Sequence, residues 1–444
     1  MSAEIAERAL RAAPAGDVLA QVVRERSLLL RFARSRPTQA TALDDTSVEV
    51  AVARDGHVGR AATNDDSDEA LADCGRRADA AAQAAARAAG SGPYPGFPAP
   101  AEIEAAGGGA GDPDPAMGGR ALAAAFETAD ASGVEAHGVW TAADVETTVA
   151  SASGTLASQR VGDAFMKVIC VAPSGRSGYA ACTAQSASRI DPRRLSEEAA
   201  RKATHPGEQA TLPPGEYPVV LEHHAVGALL DLLAGPAFDG LAHAEGRGAL
   251  VDRLGSAVAA PGVNISDSPR LHATIRRAFD AEGVPKGPLP LIQDGVAHRV
   301  VHDTRSAAVA GARSTGHAGA PGGGPGPVPT NMVMVGGGAA SHEELCAPVE
   351  RGVYVTRLWY GNVVRPKETL VTAASRDGTF LIEDGQITRP LADMRLTDSV
   401  LGILARTEAL SSRPLLTSEG EFYGRRFASG VVCPAIRARG VRLR

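Results

Sequence analysis

The sequence predicts an α+β protein: N-terminal α+β units with small sheets, followed by a mainly β C-terminal domain. Three observations predict it. Short runs of alternating or β-branched residues recur along the chain. Alanine-rich amphipathic stretches separate the first groups of these runs. From residue 218 onward, short runs punctuated by Asp-Gly pairs dominate, which is the signature of hairpins.

In chain order, residues 3–13 read as a helix. Residues 17–23 and 27–35 read as two strands around an Arg24-Glu25-Arg26 turn. Residues 47–53 alternate, and Asp55-Gly56 turns them into a strand at 57–62. A long alanine-rich helix spans about 67–88. Residues 91–118 are dense in Gly and Pro and predict a surface linker after a first unit at 1–90. A second α+β unit at 119–205 starts with a helix at 119–132. It continues with strands at 134–142, 146–152, 163–171 and 177–183, and ends with a charged helix at 192–204. A second linker leads to the domain at 215–444. That domain opens with strand 219–221 and a helix over 225–233, whose Val226, Leu229, Leu230 and Leu233 share one face. Later runs at 289–293, 296–302, 331–335, 352–359, 369–373 and 379–383 read as strands, with Asp-Gly turns at 294, 377 and 384. Helices are predicted at 341–346 and 396–408.

Composition excludes several classes. The chain has 444 residues, with 44% apolar but only 4% aromatic residues, so Ala, Val and Leu must build the core. The net charge of −6 and the absence of a basic block argue against nucleic acid as a partner. No apolar run is long enough to span a membrane and no signal-peptide pattern opens the chain, which predicts a cytoplasmic protein. Five scattered cysteines suit reduced thiols rather than a disulfide framework.

A set of motifs carries a resemblance. In order they are Phe279-Asp280-Ala281-Glu282-Gly283-Val284-Pro285, Asp303-Thr304-Arg305-Ser306-Ala307, Ser314-Thr315-Gly316-His317-Ala318 and Pro329-Thr330-Asn331-Met332. Gly352-Val353-Tyr354-Val355-Thr356-Arg357-Leu358 and Phe380-Leu381-Ile382-Glu383-Asp384-Gly385 follow. Together they resemble the TldD/PmbA family, and specifically its TldE (PmbA) branch. The N-terminal half fits more loosely, through residues 31–35 and the sheet-then-helix layout.

The resemblance implies a paired assembly. TldD-like members look like zinc peptidases with an HExxxH motif, whose two histidines ligate zinc, whose glutamate is the general base, and whose site a distant cysteine completes. Matched to this chain, the motif positions fall at Asp231, Leu232 and Pro236, and the cysteine position falls near Gly420. Asp231 is a weak ligand, Leu232 is no base, and Pro236 neither ligates nor continues a helix. The expectation is therefore no metal and no cofactor in this chain, with zinc in a TldD-like partner.

Other candidates are weighed on their residue types. Glu222-His223-His224 echoes a metal motif, but adjacent helical side chains point about 100° apart, so a solvated helix start is favoured. His298 and His302 read as one face of a strand, too far apart for a shared metal. Cys433 reads as a buried structural thiol, and Cys346 sits beside acidic residues that disfavour a thiolate. The glycine-rich run 311–331 lacks a phosphate-loop ending. Its Ser314, Thr315, His317, Thr330 and Asn331 are candidate peptide contacts, alongside bare loop flexibility. Arg305 and Glu282 are candidates for structural ion pairs or cleft polarity.

Three functions remain. The leading one is a non-catalytic TldE-like partner subunit of a heteromeric zinc metallopeptidase, which takes up unfolded or modified peptides for proteolysis or maturation. The second is an autonomous, metal-independent hydrolase or tailoring enzyme in a natural-product pathway, using Cys433, His317 or His223. The third is a homo-oligomeric peptide-binding protein.

Overall fold

The computed structural model describes residues 1–109, 111, 113–418, 424 and 426–444. Two helix–three-strand–helix units open the chain. The first comprises α1 (Ser2–Ala12), β1 (Asp17–Ala33), β2 (Arg36–Arg54), β3 (His57–Thr63) and α2 (Asp68–Ala89). The second comprises α3 (Pro115–Ala131), β4 (Glu135–Ser151), β5 (Leu156–Val171), β6 (Ser177–Ala184) and α4 (Pro192–Ala203). The units share one antiparallel sheet, ordered β3-β2-β1-β4-β5-β6, joined where Leu19 to Phe32 of β1 pairs with Ser151 to Gly138 of β4.

The strands are longer than the sequence pattern suggests. The charged triplet Arg24-Glu25-Arg26 is no turn: β1 runs straight through it, because Glu25 is buried and accepts hydrogen bonds from Ser27 Oγ and the Arg426 N–H. Likewise the predicted pair 134–142 and 146–152 is the single strand β4. Both apparent breaks carry polar residues that tertiary partners satisfy, Glu25 through Arg426 and Asp144 through Arg160.

Strand alternation divides the sheet into two faces. Val18, Ala20 and Val22 of β1 and Val48, Val50 and Val52 of β2 pack against α1 and α2. Ala164, Met166, Val168 and Cys170 of β5 pack against α3 and α4. Both units need a strand glycine for this. A Cβ on Gly59 would lie 2.1 Å from the Ala78 carbonyl oxygen of α2, and one on Gly178 would lie 2.1 Å from that of Ala199 on α4. The opposite face carries Leu19, Gln21, Val23, Val149, Gln159 and Val161, and it looks toward the C-terminal domain.

That domain holds β7 (Gly215–Leu221), α5 (His223–Phe238), α6 (Gly240–Ala244), β8 (Ile265–Asp267), β9 (Leu289–Gln293), β10 (Val296–Ala297), α7 (Thr304–Ala310), β11 (Met332–Met334) and α8 (His342–Cys346). It continues with β12 (Arg351–Arg365), β13 (Leu370–Glu383), β14 (Gln386–Pro390), β15 (Arg395–Ser399), α9 (Val400–Ala405), β16 (Thr407–Leu410), β17 (Leu415–Thr417), β18 (Val431–Cys433) and β19 (Ile436–Leu443). The pairings β7–β12, β12–β13, β13–β15, β15–β19 and β19–β7 close a five-stranded ring. A second sheet, β10-β9-β8-β11-β18-β17, packs beside it, with α5 between the two in the largest core cluster.

Three further expectations change. Asp294-Gly295 and Asp384-Gly385 are left-handed turns, but Asp377 (φ 54°) and Gly378 (φ 123°) lie inside β13, where the register with β12 slips. They form a bulge rather than a hairpin turn. The helix expected over 396–408 is a strand, a one-and-a-half-turn helix and a second strand. The strand expected through His298 and His302 ends at Ala297, and His302 is buried against Ser306 at the start of α7.

Candidate functional site

The polar residues of the 279–285, 314–318 and 329–332 motifs converge where the C-terminal domain meets the open face of the N-terminal sheet. Asp267, the last residue of β8, is the hub. Its Oδ2 accepts from His317 Nε2 at 3.0 Å and pairs with Lys286 Nζ at 3.3 Å, while Oδ1 accepts from the Asn331 N–H at 2.7 Å. All four residues are buried. Burial alone would raise the Asp267 carboxyl, but Lys286 and His317 outweigh it and hold the group well below its usual range. His317 is pushed down by burial and by Lys286, so its ring is neutral at pH 7. Its Nδ1 shares a 3.0 Å hydrogen bond with Thr315 Oγ1.

This Asp267–His317–Thr315 chain has the connectivity of a catalytic triad. Its surroundings remove that chemistry. The Thr315 hydroxyl also accepts from the His302 N–H at 2.7 Å and lies 3.1 Å from the His302 carbonyl oxygen, and the His317 side chain is fully buried. The chain is a brace that fixes the 314–318 loop.

The 279–285 turn forms the next layer. Gly283 adopts φ 78° and allows Asp280 to fold back on its own turn. Asp280 accepts from the N–H groups of Glu282, Val284 and Ala318 at 2.8–3.0 Å. Burial still raises it to about 6. Glu282 accepts from Tyr94 Oη at 2.9 Å, from the Thr304 N–H at 3.2 Å and from the Thr304 hydroxyl. Burial, then the Asp280 charge, raises Glu282 to about 8. It faces no cation at salt-bridge distance among the described residues. Arg305, the other ion-pair candidate, is half-buried and makes no ion pair among the described residues.

These groups frame a cavity of about 240 Å³ between the domains. His317, Thr330, Asp280, Lys286 and Arg277 line it from one side, and Gln21, Val23, Val145, Gln159 and Val161 line it from the N-terminal sheet. Arg426 and Phe427 close it. Arg426 is buried and anchors on Asp163 of β5 through Nε at 2.9 Å and Nη2 at 2.5 Å, and on Thr141 of β4. Gln159 ties the two sides by accepting from the Ala278 N–H at 2.8 Å. Of the five loop candidates, His317 and Thr330 line the cavity, Thr315 and Asn331 brace it from behind, and Ser314 bonds to the His302 carbonyl. Asp267, Lys286, Arg277 and Arg426 escaped sequence reasoning. Lys286 directly follows the 279–285 motif and was within reach of it, whereas nothing local marks Arg426.

Asp231, Leu232 and Pro236, onto which the resemblance maps the zinc motif, lie elsewhere, on α5. Asp231 is exposed, while Leu232 and Pro236 are half-buried against the C-terminal core. Contrary to the expectation, α5 continues through Pro236 to Phe238. The missing N–H removes only one intrahelical bond, and the Pro236 carbonyl still accepts from the Ala249 N–H at 2.8 Å. Five residues apart on a helix, positions 231 and 236 diverge by about 140°. The donor set does not fit a zinc ion: Asp231 supplies the only donor side chain of the three. Among the described residues no three His, Cys, Asp or Glu side chains gather as a metal site. The expected cysteine position at Gly420 lies outside the described residues.

The start of α5 is also corrected. His224 is buried rather than solvated, sharing a 2.9 Å hydrogen bond with Thr417 Oγ1 and meeting the Tyr179 ring edge-on at 5.1 Å. Glu222 is buried and accepts from Tyr354 Oη at 2.7 Å and from Lys202 of α4. Cys433 donates to the His223 carbonyl at 3.2 Å, and burial pushes its thiol well above the usual value.

The family model for the PmbA/TldA metallopeptidase C-terminal domain matches residues 214–444, and that for PmbA/TldA metallopeptidase domain 1 matches residues 20–89. A metalloprotease from Methanothermobacter thermautotrophicus is 28% identical over 222 residues, which are 50% of this chain and 47% of the relative. A metalloprotease TldD homolog from Haemophilus influenzae is 27% identical over 224 residues, 49% of this chain and 45% of the relative. The chain thus spans about half the length of the curated relatives it matches. Among solved structures, TldE from Thermococcus kodakarensis shares the fold with a TM-score of 0.86, at 18% identity over 99% of both chains. A putative modulator of a DNA gyrase from Thermotoga maritima does so with a TM-score of 0.81, at 20% identity over 99% of both chains. The family models, covering both ends of the chain and more than half its length, establish that this protein belongs to the PmbA/TldD family of metallopeptidase-related proteins.

Proposed function

We propose that this chain is a TldE-like, non-catalytic partner subunit that pairs with a TldD-like HExxxH subunit and forms part of the chamber that takes up unfolded or modified peptides. The observation that carries this reading is the donor set on α5. Under the match that the family resemblance implies, the base position falls at Leu232 and a ligand position at Pro236, both on the helix α5 that follows strand β7. In this reading zinc belongs to the partner, where it would supply an activated water. The residues of this chain bind and orient. Thr330 and the 316–319 loop face the cavity, while the Asp267–Lys286–His317 brace holds that loop rigid.

A metal-independent hydrolase draws no support from its candidate residues. Cys433 is buried with its thiol raised and bonded to a carbonyl, which disfavours the thiolate a nucleophile requires. His317 has both ring nitrogens engaged.

Co-expression with a TldD-like subunit tests the proposal. The pair should co-purify in fixed ratio and cleave an unfolded peptide, with activity lost when the partner's HExxxH glutamate is replaced and absent from the isolated chain. Peptide cleavage by the isolated chain, or a self-assembled oligomer that ignores the TldD-like subunit, would overturn it.

A further inference from the structure

The interdomain cavity contains buried polar groups that lack partners. Three cationic side chains, from Arg277, Lys286 and Arg426, and one carboxylate, Asp280, line it. Lys286 is paired with Asp267 and Arg426 with Asp163. Arg277 has no carboxylate at salt-bridge distance among the described residues. It is only 7% exposed, its Nη2 donates to the Ala428 carbonyl, and its Nε has no partner. Its guanidinium lies 3.8 Å from the Phe427 ring centroid, which shields the charge further. Burial lowers Arg277 only to about 10, so it is charged at neutral pH. A buried, unpaired guanidinium is costly unless something compensates it. A second orphan faces the same space: Gln21 is 4% exposed and its Oε1 accepts no hydrogen bond.

Val23, Val145, Val161 and Phe279 form an apolar wall, beside the polar Thr147, Gln159, His317 and Thr330, with Val328 and Phe427 exposed at the rim. The volume of about 240 Å³ is below the roughly 300–1,000 Å³ of sites for drug-sized ligands. It suits a single small apolar residue. An anion would complement Arg277, which recognises carboxylates through parallel N–H donors. An N–H donor would complement Gln21.

We propose that this cavity is a binding site for the carboxylate of an apolar amino-acid residue whose nitrogen is acylated, with Arg277 taking the carboxylate, Gln21 accepting the amide N–H and the valine wall holding the side chain. Such a group occurs at a peptide C-terminus and in a free N-acyl amino acid. The site is complete within this chain and does not depend on a metallopeptidase partner, so failure to pair with a TldD-like subunit leaves it intact.

Calorimetric titration of the purified full chain tests it. The probes are N-acetylvaline, acetyl-Ala-Ala-Val with a free carboxylate, N-acetylvaline amide and isovalerate. Saturable binding of N-acetylvaline is expected, with the amide weaker by at least about tenfold. If the tripeptide acid matches N-acetylvaline, the occupant is a peptide end; if only N-acetylvaline binds, it is a small N-acyl acid; both outcomes support the carboxylate site. The Arg277→Gln variant should lose binding. The Gln21→Leu variant, which removes only the orphan acceptor, should weaken N-acetylvaline while leaving isovalerate unchanged. Equal binding of acid and amide, or no saturable binding of any acid up to about 10 mM, overturns the proposal without reference to any variant's folding.

Discussion

Lys202 on α4 and Glu222 at the start of α5 form an ion pair 2.8 Å apart, with side chains 3% and 1% exposed. The pair bolts the second N-terminal unit to the C-terminal domain. Lys202 also bonds to the Tyr179 carbonyl, and Glu222 accepts from Tyr354 and Thr356, so every charge-bearing atom is satisfied. Lys202 has a second carboxylate partner in Glu198 at 3.0 Å, so it is the loss of Lys202 that strands its partner, Glu222, in a dry site. Lys202→Met should cost about 3–5 kcal/mol, as expected for breaking a buried pair. The double variant Lys202→Met with Glu222→Gln should recover a substantial part of that loss. Denaturant unfolding of the four proteins measures both.

Acid should weaken the same junction. Burial holds His224 well below its ordinary pKa and lowers His223 to about 4, with Lys202, His342 and Arg357 adding to the effect at one or both rings and Glu222 opposing it at His223. The unfolded chain therefore binds more protons. The histidine contribution to stability is complete above about pH 6.5 and is lost as pH falls from 6.5 toward 4, at roughly 1.4 kcal/mol per unit of depression for each group. A His224→Phe variant should show a flatter fall in melting temperature between pH 6.5 and 5 than the parent.

Glu282 predicts the opposite slope. Its carboxyl is raised to about 8, so the folded chain binds the extra proton and stability declines as pH rises from about 4.5 through 8. Glu282→Gln carries no charge to bury. Relative to the parent it should gain stability at pH 8.5 compared with pH 5, read as the difference in unfolding midpoints. A larger relative loss at pH 8.5 would show that Glu282 is held as the carboxylate.

Thiol chemistry should be ordered by burial. Cys74, Cys170, Cys346 and Cys433 are buried and Cys182 is half-buried. Burial raises all five thiols. Iodoacetamide at pH 7.5 should label the native chain slowly, at Cys182 first, and reach Cys433 only on unfolding. Rapid labelling of Cys433 would revive its candidacy as a nucleophile.

Much of this arrangement was legible in the sequence. The alternation in residues 47–53, the Asp55-Gly56 turn and the alanine-rich helix near 67–88 all form as expected, because local patterning and packing agree there. The loop residues His317 and Thr330 do reach one cavity. What was illegible depends on distant partners. Glu25 looked like a turn residue because its partner Arg426 lies 401 residues away. His224 looked solvated because Thr417 and Tyr179, which bury it, belong to other elements. The cavity's cations were invisible for the same reason: Arg277 and Arg426 gain meaning only against Gln21, Asp163 and the valine wall of the N-terminal sheet.

The central claim, that the α5 frame holds no metal of its own, is tested most directly by zinc stoichiometry. The purified chain, equilibrated with trace Zn²⁺ and passed through a desalting column, should retain well below one zinc per chain, with no change in an Asp231→Ala variant. One tightly held zinc per chain, lost in Asp231→Ala, would contradict the account.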